Sequence, residues 1–166
     1  MTNIVNNVRF NDMRLSTKSR YGVRAVFDIA FHGGGDGVQV KDIARRQQIS
    51  PRYLEQIFQK LRNAGIITSK RGPQGGYSLA KNPQNIKVGE IIRVTEGGLE
   101  PVFCVHPEKS GKHCDRIAEC VTRLIWKEAG EKLEDFFDSV TIGDLCEKAE
   151  LLGVQKEQGQ RAMYYI

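Results

Sequence analysis

Apolar residues recur at helical spacing in the first third of the chain. From Lys18 to Phe31 they fall on one side of a helix, which the glycine-rich stretch HGGGDG then ends. A shorter amphipathic helix follows in VKDIARRQQ, with Val40, Ile43 and Ala44 facing inward. The pattern therefore predicts two helices that pack together through one apolar side each.

The stretch ISPRYLEQIFQKLRNAG carries the strongest helix signals. Ser50 is a favoured N-cap residue, Pro51 suits the first turn, and Gly65 stands where a left-handed residue ends many helices. An apolar stripe runs along the inner side, formed by Leu54, Ile57, Phe58 and Leu61. The outer side is polar and consists of Arg52, Glu55, Gln56, Gln59 and Arg62.

The next segment changes from helical to β-prone residues. Two short runs, Ile66–Ser69 and Tyr77–Ala80, flank a turn rich in glycine and proline, which predicts a hairpin. KVGEIIRVTEGG then predicts a short helix ended by Gly97 and Gly98. The order helix, short helix, tight turn, capped helix and hairpin is typical of a winged helix-turn-helix, in which the second helix of the turn motif enters the major groove.

A long helix is predicted from Ile117 to Val140, followed by a capping box at Thr141 and Asp144 that opens a last helix through Leu152. A solitary helix of ~24 residues with a full apolar stripe needs a partner surface, either a second copy or its own domain. The fold class is mainly α with a small β-hairpin wing, a winged helix-turn-helix domain plus a long dimerisation helix. The expected division is a flexible leader at 1–12, the DNA-binding domain at 13–97, a cysteine-containing loop at 98–120, the dimerisation and final helices at 118–152, and a disordered tail at 153–166.

Charge is distributed unevenly along the chain. Residues 1–97 carry 16 Lys and Arg against 7 Asp and Glu, whereas residues 98–166 carry 9 against 13. A basic first part predicts a polyanionic partner for that part, although single charges can also serve only to keep a surface soluble. With the winged helix this favours double-stranded promoter DNA. The candidate contacts are Arg14, Lys18, Arg20, Ser50, Arg52, Glu55, Gln56, Gln59, Lys70 and Arg71.

These side chains suit different parts of a duplex. Arginine and glutamine on the outer side of helix 51–64 donate to purine edges, and Glu55 accepts from a cytosine amino group. Lys70 and Arg71 stand at the wing tip, where a guanidinium enters a narrow minor groove. Arg14, Lys18 and Arg20 are placed to reach phosphates.

No stretch approaches the ~20 apolar residues that span a bilayer, and the N-terminus lacks the apolar region of a signal peptide. The expected location is therefore the cytoplasm, without membrane attachment, where thiols stay reduced and clustered cysteines favour metal or redox chemistry over disulfides. No nucleophile and base, carboxylate pair or cofactor loop is recognisable, so an enzyme is not expected.

The stretch CVHPEKSGKHCDRIAEC, from Cys104 to Cys120, holds three of the four cysteines and two of the three histidines. Its intervals are longer than the C-x-x-C repeats of zinc ribbons, and iron–sulfur clusters accept such varied spacings. A zinc site and cluster-free thiols remain alternatives. Cys146 lies beside Leu145 in the last helix and is expected to pack in the core.

MRLSTKSRYGVRAVFDIA, ISPRYLEQIFQKLRNAGII and RGPQGGYSLAK together resemble the IscR-type regulators, bacterial winged-helix transcription factors, many of which hold an iron–sulfur cluster. VGEIIRV, CVTRLIW and TIGDL extend the resemblance over about Met13 to Leu152. The resemblance implies a homodimer built on the long helix. It also implies that Glu55 and Arg71 help to read DNA. The ligands that it implies for a cluster are Cys104, Cys114 and Cys120.

One position departs from the family pattern. Arg123 stands where the family has a histidine ligand, and a permanently charged guanidinium does not bind metal. His113 is then the first candidate for the fourth ligand together with His106, followed by Asp115 and Glu119. Some relatives take this ligand from the N-terminal region of the partner subunit and tend to hold a four-iron cluster. We expect [2Fe-2S] in preference to [4Fe-4S].

The sequence thus predicts a homodimeric DNA-binding transcription regulator that senses iron–sulfur cluster status or redox state through a bound cluster. Two alternatives keep the same fold or the same cysteines. One is a cluster-free regulator that senses a small molecule or a partner protein. The other is a zinc-bearing structural protein.

Overall fold

The computed structural model describes residues 16–34, 37–72, 75–106, 108 and 113–157. Within these ranges the chain forms six α-helices and one two-stranded antiparallel hairpin. The elements are α1 (Thr17–His32), α2 (Val40–Gln47), α3 (Pro51–Asn63), β1 (Ile67–Lys70), β2 (Gly76–Leu79), a 3₁₀ turn (Pro83–Asn85), α4 (Val88–Glu96), α5 (Thr122–Ser139) and α6 (Ile142–Leu151). None of the described helices is long and apolar enough to cross a membrane.

The first three helices form the predicted helix-turn-helix. The Ser50 hydroxyl accepts a hydrogen bond from the Tyr53 backbone N–H at 3.3 Å, and Gly65 beyond the end of α3 has φ of 69°, a left-handed conformation that glycine adopts at little cost. The inner sides of these helices meet in one core, in which Ile43, Leu54 and Phe58 are fully buried. The apolar stripes predicted for α2 and α3 are therefore the ones that pack.

The hairpin is a wing anchored at its base. Ile67 pairs with Leu79 and Lys70 pairs with Gly76, so each strand begins and ends about one residue from the predicted position. Val38, just before α2, exchanges two backbone hydrogen bonds with Tyr77, both of 2.8 Å. This bridge ties the wing to the helix-turn-helix, which fixes the position of the wing relative to α3.

The C-terminal end of the long helix folds back on its own domain. The Val88 N–H donates to the Val140 carbonyl at 2.9 Å, and the Ile142 N–H donates to the Ile86 carbonyl at 2.9 Å. Ile142 is fully buried in the main core. The predicted capping box is present, because the Asp144 N–H donates to the Thr141 hydroxyl at 3.0 Å and the Thr141 N–H to the Asp144 carboxylate at 2.7 Å.

The start of α5 differs from the prediction. The helix begins at Thr122 rather than near Ile117. Before it, the Ile117 N–H donates to the Cys114 carbonyl and the Glu119 N–H to the Arg116 carbonyl, at 3.2 and 3.1 Å. These are bonds between residues three apart, so the helical spacing of the sequence here is realised as successive turns instead of an α-helix.

Residues 153–157, which the sequence assigns to the tail, lie against the first two helices. The Glu157 carboxylate pairs with Arg45, and the Glu157 N–H donates to His32 Nδ1 at 3.1 Å. The Lys156 ammonium lies 5.1 Å from the centre of the Phe31 ring. The remainder of the predicted tail, 158–166, and the predicted leader, 1–12, lie outside the described residues.

Candidate DNA interface and cysteine loop

The outer side of α3 is exposed as predicted. Arg52, Glu55, Gln56 and Gln59 are all exposed to solvent. The fully buried Leu54 and Phe58 hold the opposite side of the helix in the core. A rigid helix that presents amide, guanidinium and carboxylate groups together offers both donors and acceptors for base edges.

The wing and the start of α1 add positive charge beside this helix. Lys70 and Arg71 are exposed at the end of β1, and Lys18 is exposed in the first turn of α1. The Arg62 guanidinium lies 3.5 Å from the Ser69 hydroxyl, so α3 and the wing contact each other directly. Ser50 uses its oxygen for the helix cap and keeps its hydroxyl proton for donation. Arg14 lies outside the described residues.

The three predicted cysteine ligands are partly buried free thiols. In the described part of the chain, no group of three or more His, Cys, Asp and Glu side chains is arranged to hold a metal. The structure therefore places Cys104, Cys114 and Cys120 on one loop without bringing them together as a ligand set. Residues 107 and 109–112 of this loop lie outside the described residues.

The two histidines of the loop each pair with a carboxylate. His113 Nε2 lies 2.9 Å from the Asp115 carboxylate, and both side chains are almost fully exposed. His106 Nδ1 lies 2.9 Å from the Glu108 carboxylate. The His113 side chain lies at the surface, whereas that of His106 is 43% exposed.

The thiols differ in their environments. The Thr122 hydroxyl, 3.2 Å from the Cys120 sulfur, lowers the pKa of this thiol, with help from the Arg123 backbone N–H and the charge of Arg116. Cys146 packs against the main core, and burial raises the pKa of its thiol. The thiolate, which is the form that binds metals, is therefore favoured at Cys120 and disfavoured at Cys146.

Arg123 has a role that sequence reasoning missed. Its Nε donates to the Cys104 carbonyl at 2.8 Å, and its second terminal nitrogen donates to the Val105 carbonyl at 3.3 Å. The side chain therefore binds the backbone of the cysteine loop. A partner nineteen residues away leaves no local signal, so only the three-dimensional structure reveals this contact.

One side of the N-terminal part of α5 is apolar and exposed. Val121 before the helix, with Leu124 and Ile125 in it, is 64% to 75% exposed, and Phe136 further along is 59% exposed. At 3.6 residues per turn these four share one side of the helix. Lys132 and Glu128 lie between them and pair at 3.1 Å. The apolar stripe is thus split between an inner part, which packs on the domain, and an outer part, which faces solvent.

Comparison with known proteins identifies the type of protein. Residues 15–148 match the Rrf2 family, described as iron-dependent transcriptional regulator. The chain belongs to the Rrf2 family. Among curated relatives, protein rrf2 of Nitratidesulfovibrio vulgaris is 43% identical over 139 residues, which cover 84% of this chain and 91% of the relative. The HTH-type transcriptional regulator IscR of Klebsiella pneumoniae is 38% identical over 148 residues, 89% of this chain and 88% of the relative.

Solved structures agree with this membership. T. potens IscR superposes with a TM-score of 0.69 at 42% identity, covering 92% of this chain and 96% of that one. CymR, the global cysteine regulator of B. subtilis, gives a TM-score of 0.68 at 35% identity, covering 81% and 97%. The resemblance to IscR-type regulators and the winged-helix fold are thus confirmed. This Rrf2 protein is a DNA-binding transcription regulator and not an enzyme.

Proposed function

We propose that this protein is a homodimeric regulator that binds promoter DNA and senses iron–sulfur cluster status or redox state. The observation that carries the proposal is the placement of three partly buried free thiols on a loop whose first part, Pro101 to Val105, contacts α5. Near the start of the loop, the ring of the buried Pro101 lies against Gly130 in the middle of α5. A conformational change in the loop would therefore be transmitted to α5, the helix whose outer side is apolar.

DNA binding is assigned to α3 and the wing. Arg52, Gln56 and Gln59 are proposed to donate to base edges in the major groove, and Glu55 to accept from cytosine. Lys70 and Arg71 would approach the minor groove at the wing, and Lys18 a phosphate. Arg14 and Ser50 are proposed as further phosphate contacts.

Dimerisation is assigned to the outer side of α5. Four exposed large apolar side chains, three in α5 and Val121 just before it, are costly in water, and a second copy of the same helix would cover them. Two recognition helices related by a two-fold axis fit the two half-sites of a palindromic operator.

The donor set fits an iron–sulfur cluster chemically. Cys104, Cys114 and Cys120 would hold it through thiolates, with His113 as the first candidate for the fourth ligand and His106, Asp115 and Glu119 behind it. A [2Fe-2S] cluster is preferred over [4Fe-4S]. When bound, the cluster would supply a redox-active group whose oxidation state and presence depend on oxidants and on the supply of iron and sulfide.

Regulation then follows from linkage between the loop and DNA. Ligation would change the conformation of the loop beside α5 and bias the spacing of the two α3 helices. A bound and an unbound form would differ in affinity for the operator, with a coupling free energy of about 1–3 kcal/mol in typical systems.

The test combines metal analysis with DNA binding. Protein purified anaerobically should be coloured and contain iron and sulfide in equal numbers. The DNA ligand is a duplex selected by the protein from a random pool, and its affinity should differ between the loaded protein and the protein stripped by a chelator.

Two other results would favour the alternatives. Colourless protein with zinc would indicate a structural zinc site. Metal-free protein with full sequence-specific binding would indicate a cluster-free regulator that senses a small molecule or a partner protein.

A further inference from the structure

The cysteine loop is fastened to α5 at two points seven residues apart along the helix. Pro101 packs on Gly130, where an added Cβ would come within 3.1 Å of the proline ring. Toward the start of the helix, the Arg123 guanidinium donates to the Cys104 and Val105 carbonyls at 2.8 and 3.3 Å. The segment 101–105 therefore runs back along α5 toward its N-terminal end.

The segment between these points is ordered by burial as well. Val105 is only 6% exposed, and its N–H donates to the Val102 carbonyl at 3.3 Å to close a turn. Burying Val105 removes two neighbouring carbonyls from much of their water, and a carbonyl without a partner there is costly. Arg123 supplies the donors, and its charge makes both hydrogen bonds stronger than neutral ones.

The same arginine is bonded to a second cysteine. The Arg123 N–H donates to the Cys120 carbonyl at 3.1 Å in the turn that leads into α5. One residue thus contacts the backbone of Cys104 through its side chain and that of Cys120 through its main chain. The main chain of Arg123 therefore closes the turn that follows Cys120, while its side chain binds the backbone at Cys104.

We propose that Arg123 is a positioning residue that fixes the backbone of Cys104 and Val105 against the start of α5 before any metal arrives. This inference rests on the proposed function for the identity of the bound group. Since a guanidinium stays protonated, Arg123 does not ligate, and its contribution is to reduce the ordering that binding has to impose on the loop. A loop ordered in advance should retain a cluster longer than a free one.

The first arm of the test uses iron-free protein. Hydrogen exchange at the Val105 amide reports on the loop turn without any cluster. In Arg123→Ala this exchange should be about tenfold faster than in the wild type, the factor that corresponds to about 1.4 kcal/mol. The matched control is Lys127→Ala, which removes an exposed cation one turn further along α5 and should leave the Val105 amide unchanged. Unchanged exchange in Arg123→Ala would overturn the tether, that is, the attachment of the loop to α5 by the Arg123 side chain.

The second arm uses protein loaded anaerobically and measures cluster loss in air from the visible absorption. Arg123→Ala should lose the cluster about tenfold faster, again the factor of about 1.4 kcal/mol, and Arg123→Lys, which keeps one donor and the charge, should recover part of the lifetime. Faster exchange with a wild-type lifetime would overturn the positioning role.

If Arg123→Ala does not fold by circular dichroism, the comparison of Arg123→Lys with the wild type decides in both arms. Wild-type protein that takes up no iron would reject the proposed function and the positioning role with it, while the exchange arm still reports on the tether.

Discussion

Asp28 and Arg46 form a buried ion pair that fastens α1 to α2. The Asp28 side chain is fully buried and that of Arg46 is 8% exposed. The guanidinium approaches the carboxylate through Nε at 3.0 Å and through a terminal nitrogen at 2.6 Å, and Gln47 Nε2 adds a third bond at 2.8 Å. Since α2 leads directly into the turn before α3, this pair also constrains the position of α3 relative to α1.

Asp28→Ala should lower the free energy of unfolding by about 3–5 kcal/mol, because it leaves the Arg46 charge buried without its partner. Arg45→Ala is the control on the same helix. The Arg45 side chain is 61% exposed and its pair with Glu157 lies at the surface, so its removal should change the free energy of unfolding very little. Urea denaturation measures both. If both variants lost the same small amount of stability, Arg46 would have found another partner in Asp28→Ala. Glu157, whose carboxylate lies 3.7 Å from the guanidinium, is available for this.

Arg71 and Glu55 should affect DNA binding in different ways. Arg71→Ala removes a cation at the wing and should weaken binding to a selected site by about 1–3 kcal/mol. Glu55→Ala removes an acidic group that repels phosphates, so overall affinity should hold or rise while the choice of sequence relaxes. Titrations against specific and scrambled duplexes over a salt series separate the two effects, with the exposed Lys148→Ala on α6 as control. An Arg71 variant with wild-type affinity at every salt concentration would remove the wing from the interface.

Local signals predicted the helix-turn-helix correctly. The caps at Ser50 and Thr141 and the glycine after α3 act within a few residues, so the sequence alone places them. The hairpin strands were correct to about one residue. The start of α5 was wrong by about five residues, because the spacing of Ile117 and Val121 fits turns as well as a helix.

Long-range contacts could not be predicted in the same way. The two ends of the Arg123 tether are nineteen residues apart, and Glu157 meets Arg45 across 112 residues. Arg123 is an example. The sequence shows only that this residue cannot bind a metal, whereas the structure shows that its side chain binds the backbone of the cysteine loop. The division of the α5 stripe into an inner and an outer part likewise depends on where Val140 and Ile142 dock.

The outer side of α5 provides the test of dimerisation. Leu124→Asp places a charge on a side chain that is 66% exposed, so the protomer should fold normally and the dimer should dissociate at micromolar concentration. Sedimentation velocity measures the change. Lys148→Asp, a substitution at an exposed position of α6, should remain dimeric. Wild-type protein that sediments as a monomer would contradict the assignment of this surface.

The contact between His32 and the segment 153–157 should depend on pH. Burial lowers the pKa of His32, the charge of Arg46 lowers it further, and Asp28 and Glu157 oppose the change. His32 Nδ1 accepts from the Glu157 N–H, so this bond requires the neutral ring. Because the pKa is lower in the folded state, the stabilisation is complete above about 6.5, the ordinary histidine value, and decreases as pH falls through that value toward the folded pKa.

The Glu157 amide should therefore lose protection from hydrogen exchange on acidification, after correction for intrinsic exchange rates. Arg45 also faces His32 and stays charged throughout, so it does not contribute to the change. His32→Gln keeps an acceptor that does not titrate and should make the protection independent of pH over the same range. A pH profile in His32→Gln identical to that of the wild type would assign the change to another group.

The four cysteines divide into two classes with opposite expectations. Cys104→Ala, Cys114→Ala and Cys120→Ala should each abolish or strongly reduce retention of iron and sulfide, because each removes a thiolate from the proposed three-cysteine donor set. The fold should survive, because all three thiols lie outside the main core. Cys146→Ala should keep the colour, because its partly buried thiol packs against that core and its raised pKa disfavours the thiolate. Iron and sulfide counts with anaerobic absorption spectra measure all four variants. A full complement of iron and sulfide in Cys114→Ala would contradict the ligand assignment.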